Sequence, residues 1–116
     1  MRIATKSVYD RKEERDGLRL LITRYWPRGI KKAAFDRWER RVAPSAALVK
    51  AFKHEGLAWP EYRQRYLAEM DSAEARAGMR DIAAAAGRGA VTIICICRDE
   101  ANCHRGILKN LLGAGR

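Results

Sequence analysis

Residues 90–96 form the most continuous apolar run of the chain, polar only at Thr92. A run of that length between Gly89 and a charged turn reads as a strand buried on both faces. Residues 2–9 alternate loosely around Ile3 and Val8 and predict a first strand. Residues 18–25, rich in Leu, Ile and Thr, predict a second. The polar stretch 10–17 between them ends in Asp16-Gly17, a turn signal, and suggests an antiparallel pair. Phe35 and Trp38, three apart, suggest a short helix over 33–42. Pro44 breaks it, and Ser45 caps a helix over 46–53 whose stripe is Leu48, Val49 and Phe52. Pro60 opens the next helix, where its missing N–H is not needed, with Tyr62, Tyr66 and Met70 at every fourth position. Ser72 caps a helix over 72–86 that Gly87 and Gly89 end. A last helix over 102–112 carries Ile107, Leu108, Leu111 and Leu112. This order predicts a small single α/β domain spanning 1–116. Its short mixed sheet is centred on residues 90–96 and packed by helices.

Composition narrows the class. With 116 residues, 47% hydrophobic and 33% charged, the chain is globular and not a disordered tail. No apolar run approaches the ~20 residues of a membrane span, and residues 1–16 are too polar for a signal peptide. A cytoplasmic location without membrane association is expected. The net charge is +10 and is concentrated in the first half of the chain. An excess of that size suggests an anionic partner.

The densest cluster of reactive side chains follows the apolar strand: Cys97, Arg98, Asp99, Glu100, Asn102, Cys103, His104 and Arg105. Ligands of α/β sheets bind beyond the carboxyl ends of the strands, and free N–H groups at a helix N-terminus attract anions. Arg98 and Arg105 are candidate ligand contacts there. His104 is the candidate acid or base, which Asp99 could orient. The thiols of Cys103 and Cys97 lie where an N-terminus, Arg and His lower a thiol's pKa, so both qualify as a candidate nucleophile. Cys95 and Cys97 share a face of the strand and, with Cys103 and His104, comprise four soft donors. Their spacing is not one of the usual zinc spacings, so no metal and no cofactor is assigned. Burial as small hydrophobes remains the alternative for the cysteines, for Cys95 above all.

A second cluster is Arg24, Trp26, Arg28 and Gly29, in which arginine forks suit phosphate and indole can stack on a base. Tyr66 is a further candidate ligand contact and His54 a further candidate acid or base.

The segment Thr23-Arg24-Tyr25-Trp26-Pro27-Arg28-Gly29 resembles the "DR-x-WPRG" hallmark of the domain-of-unknown-function 488 family, in its YeaO-like branch. The resemblance continues through Ala43-Pro44-Ser45, Phe52 with His54, Trp59 with Tyr62, Arg65-Tyr66 and Glu69, and ends in Arg98-Asp99-Glu100. Thr23 stands where the hallmark has Asp, and Cys103-His104-Arg105 is similar to a motif of the wider family. The resemblance implies a fold and a list of residues rather than a reaction.

Two function classes follow. One is an anion site for a phosphate-bearing or nucleotide-like ligand at the end of strand 90–96, open to enzymatic use of His, Cys and Arg. The other is a basic nucleic-acid-binding module using residues 19–41, where Trp26, Phe35 and Trp38 interleave with cations. A homodimer is neither required nor excluded.

Overall fold

A computed structural model of the chain describes residues 3–97 and 102–114. Four strands form one sheet: β1 (Ile3–Ser7), β2 (Leu18–Leu21), β3 (Arg37–Trp38) and β4 (Val91–Cys95), in the order β1-β4-β2-β3. The class is α/β, and β4 lies inside the sheet as its apolar run predicts.

Every pair in the sheet is parallel, so the expected antiparallel pairing of β1 with β2, and with it the mixed sheet, is corrected. β1 and β2 are not paired with each other; both flank β4. Val8 N–H donates to the Cys95 carbonyl (2.8 Å), and Leu18 N–H donates to the Ala90 carbonyl (3.0 Å). Residues 8–17 thus run back from one end of β4 to the other. A two-residue hairpin turn would have reversed the chain; this longer polar segment instead returns it to the starting edge. The turn signal at Asp16-Gly17 is real, with Gly17 at φ 66°, but it begins a parallel strand.

Side chains of β4 alternate between two apolar layers. Val91, Ile93 and Cys95 join Leu20 and Ile22 under the helices, and Ile94 joins Leu21 and Phe35 on the opposite face. The helix layer comprises α1 (Ala46–His54), α2 (Trp59–Glu69), α3 (Ala73–Arg88) and α4 (His104–Ala114). Ser45 caps α1 by accepting from Leu48 N–H (3.1 Å), and Ser72 caps α3 by accepting from Ala75 N–H (3.1 Å). Gly89, not Gly87, ends α3. No helix among the described residues is long and apolar enough to cross a membrane.

The helix expected over 33–42 is absent. In its place are a 3-10 turn at Lys32–Ala34, the edge strand β3 and a 3-10 turn at Arg40–Val42. The cause lies in the opposite layer. Trp26 packs edge-on against both Phe35 and Trp38, with ring centroids 5.4 Å apart in each pair. An extended backbone sends Phe35 and Trp38 to that site while Asp36 and Glu39 N–H donate to β2 carbonyls (both 2.8 Å).

Candidate functional site

Because β2 and β4 run parallel, the segments that leave them emerge side by side. Thr23 to Arg28 follow β2, and Ile96 and Cys97 follow β4. The face of α1 that carries Val49, Phe52 and Lys53 leans over both, and the first turn of α4 brings in Cys103 and His104. Together they enclose a cleft of about 130 Å³ at the carboxyl edge of the sheet.

The loop after β2 is fixed by its own sequence. Ile30 N–H donates to the Pro27 carbonyl (3.3 Å), and Gly29 at φ 80° supplies the left-handed residue of a tight turn. Trp26 Nε1–H closes it by donating to the Ile30 carbonyl (2.7 Å). Arg24 Nε–H donates to the Pro44 carbonyl (2.9 Å), tying the loop to the start of α1. The cleft wall is therefore rigid, with Trp26, Phe52 and Tyr62 as its aromatic surface. Arg24, Arg28 and Lys53 line the cleft, and no carboxylate does so among the described residues.

The floor is sulfur and imidazole. Cys95 and Cys103 Sγ are 2.7 Å apart, and Cys103 Sγ is 3.7 Å from His104 Nδ1. His104 Nε2 lies 2.7 Å from the Ile22 carbonyl, a contact that requires Nε2–H as donor and leaves Nδ1 with a lone pair. Burial lowers the His104 pKa, so the ring is neutral. Hydrogen bonds from the Cys103 and Cys95 thiols hold Cys97 well below the usual thiol range, against its burial. Cys103 moves the other way from the lowering expected of it: its hydrogen bond with Cys95 first, then that with Cys97, then burial, push its thiol up.

Of the residues expected at the site, Arg24, Trp26, Arg28, Cys103 and His104 meet at the cleft. Gly29 shapes the loop without lining the cleft. Arg105 is buried beneath the floor, where Nη1 donates to Cys95 Sγ (3.1 Å) and to the Cys97 carbonyl. Tyr66 is buried in the core; its hydroxyl donates to the Val42 carbonyl (2.7 Å) and its ring meets His104 edge-on at 5.5 Å. It supports the imidazole from behind and offers no ligand contact. His54 is exposed on the last turn of α1, outside the cleft lining. Arg98 and Asp99 lie outside the described residues. Sequence reasoning missed Lys53, which shares a helix face with Val49 at i, i+4; that spacing was the available signal. In residues 19–41, Phe35 is buried, and Trp38 Nε1–H donates to the Thr23 carbonyl (2.7 Å). Arg19 is buried against Asp16. Phe35 and Trp38 pack inward with Trp26, which also lines the cleft, while Tyr25, Lys31, Lys32, Arg37 and Arg40 remain exposed.

The family model described as "Active DUF488-N3 subclade" (DUF488-N3a) matches residues 3–115. The chain belongs to the DUF488 family. Among its DUF488 relatives, the uncharacterized protein YeaO of Escherichia coli K12 is 38% identical over 114 residues, covering 97% of each chain. The uncharacterized protein Rv3073c of Mycobacterium tuberculosis H37Rv is 33% identical over 113 residues, covering 96% of this chain and 93% of its own. The similarity to these relatives thus runs over nearly the whole of each chain. No solved structure matches.

Proposed function

We propose that the cleft binds a small anionic ligand, a phosphate-bearing or nucleotide-like molecule, with its anionic group towards Arg24, Arg28 and Lys53. One observation carries this reading: the described lining holds three cations and no carboxylate. An anion entering it gains charge-assisted hydrogen bonds and meets no carboxylate among the described lining residues. The volume sets a limit. At about 130 Å³ the cleft is smaller than the roughly 300–1,000 Å³ typical of small-molecule pockets. It accommodates a phosphate with the few atoms next to it, and a larger ligand extends over the rim. The floor then presents Cys97, Cys103 and His104 to the bound group, and the word "Active" in the family description supports a chemical use of them.

The test is calorimetric titration of the protein with inorganic phosphate and with nucleoside monophosphates. Saturable binding is expected, weakened about tenfold or more by Arg28→Ala and by Lys53→Ala at unchanged melting temperature. No saturable binding, or equal binding by both variants, would overturn the reading. Single-stranded DNA serves as the contrast. Binding through the exposed cations of residues 19–41 has a steep salt dependence and does not depend on Lys53.

A further inference from the structure

The floor of the cleft contains donors beyond what anion binding uses. Cys95, Cys103 and His104 each offer one ligand atom, all within 4.8 Å of one another. They are buried, with relative exposures of 0%, 2% and 6%. We propose that Cys95, Cys103 and His104 bind a soft divalent metal ion, zinc by preference, with the remaining coordination position towards Cys97 and the cleft.

Four features of the geometry support this. In a tetrahedral site with Zn–S near 2.3 Å and Zn–N near 2.0–2.1 Å, neighbouring ligand atoms stand roughly 3.5–3.8 Å apart. Cys103 Sγ and His104 Nδ1, at 3.7 Å, already have that separation. The free thiols of Cys95 and Cys103, at 2.7 Å, stand closer than ligand spacing and must open about 1 Å to admit the ion. Second, His104 Nε2–H is directed at the Ile22 carbonyl (2.7 Å). Metal-ligating histidines donate their other ring N–H in this way, which fixes the tautomer and leaves the coordinating nitrogen free. Third, Arg105 donates to Cys95 Sγ (3.1 Å). A guanidinium there offsets thiolate charge around a divalent ion, as outer-shell hydrogen bonds to sulfur do. Fourth, the ligands come from two adjacent elements, the end of β4 and the residues that open α4. The unusual spacing C-x-C-x5-C-H reflects that strand-to-helix turn instead of a zinc-finger hairpin. Binding replaces the two S–H bonds of Cys95 and Cys103 with S–metal bonds and releases two protons to solvent.

The proposal does not rest on the anion reading, because the metal alone is the probe. The full chain, stripped with chelator under reducing conditions, is titrated with Co²⁺ and with Zn²⁺. One ion per chain is expected. The cobalt form should show thiolate-to-metal charge transfer and the visible bands of a tetrahedral ion, and zinc should displace the cobalt. Zinc should also protect two of the three thiols from alkylation and raise the melting temperature of the wild type, which needs no variant to fold. Cys103→Ser should weaken metal affinity by at least about 100-fold, since loss of an outer partner alone costs about 10–100-fold. Arg28→Ala, which removes a cleft cation, should leave metal affinity unchanged. Equal alkylation of all three thiols with and without zinc, with no tetrahedral cobalt spectrum, overturns the proposal. So does a Cys95–Cys103 disulfide that forms in air at the same rate with zinc present. Failure of phosphate binding with a normal cobalt spectrum overturns the anion reading alone.

Discussion

Gly17 is a residue on which the sheet depends. At φ 66°, a Cβ there would lie 2.2 Å from the Ala90 carbonyl oxygen, a backbone atom of the residue preceding β4. Neither the conformation nor the space admits a side chain. Gly17→Ala is expected to cost more than about 3 kcal/mol, combining left-handed strain of roughly 1–2 kcal/mol with displacement of backbone; denaturant unfolding checks it. Its neighbour Asp16 is buried and carries two cations, Lys6 at 2.7 Å and the buried Arg19. Asp16→Asn leaves Arg19 without that counter-charge, and breaking a buried pair from one side costs about 3–5 kcal/mol. Burial pushes the Asp16 carboxyl up, but its hydrogen bonds from Lys6, the Glu13 N–H and Arg19 outweigh burial and leave it below the ordinary 3.8. A depressed carboxyl stabilises the fold fully above its unfolded value. That contribution is lost as pH falls through the native one. Melting temperature should therefore drop below about pH 4 in the wild type, and Asp16→Asn should flatten the drop. A wild-type curve that stays flat down to pH 2 would contradict this.

The elements whose signals are local were the legible ones. Ser45 and Ser72 cap their helices as the sequence predicts, because a cap is decided within four residues. Ser45 does more: its N–H and hydroxyl donate to the Glu69 carboxylate at 2.8 and 2.5 Å, joining the start of α1 to the end of α2. Ser45→Ala should cost about 1–2 kcal/mol, the upper part of the range for a lost cap. The same substitution at Ser72, whose cap lacks a carboxylate partner of this kind among its described hydrogen bonds, should cost less. Residues 33–42 were misread because Phe35 and Trp38 answer to Trp26 across a loop, and an i, i+3 spacing does not reveal a distant partner. The parallel pairing of β1 and β2 with β4 was hidden for the same reason. Of the site, the loop of Arg24, Trp26 and Arg28 and the pair Cys103-His104 were legible as motifs. Tyr66 and Arg105 were not separable from ligand contacts, since burial decides their roles and burial is a property of the packed layers.

For the molecule as a whole, β4 is where the two layers meet, and its side chains are buried throughout. Ile93→Ala, emptying space under the helices, should cost about 2–5 kcal/mol. Ile94→Ala in the opposite layer should cost a similar amount and also loosen the loop of Trp26, which carries Arg24 and Arg28, so phosphate affinity should fall further with the second variant than with the first. A matched loss of affinity in both would contradict that division of the core. The strand order has a consequence for how the chain is made. β1 and β2 leave the ribosome early, yet the strand that both must pair with arrives only after nearly ninety residues have been synthesised. Contacts of such long range are slow to close. Until residue 95 is made β1 has no partner strand and β2 has only β3, so the four strands close into one sheet only when β4 arrives.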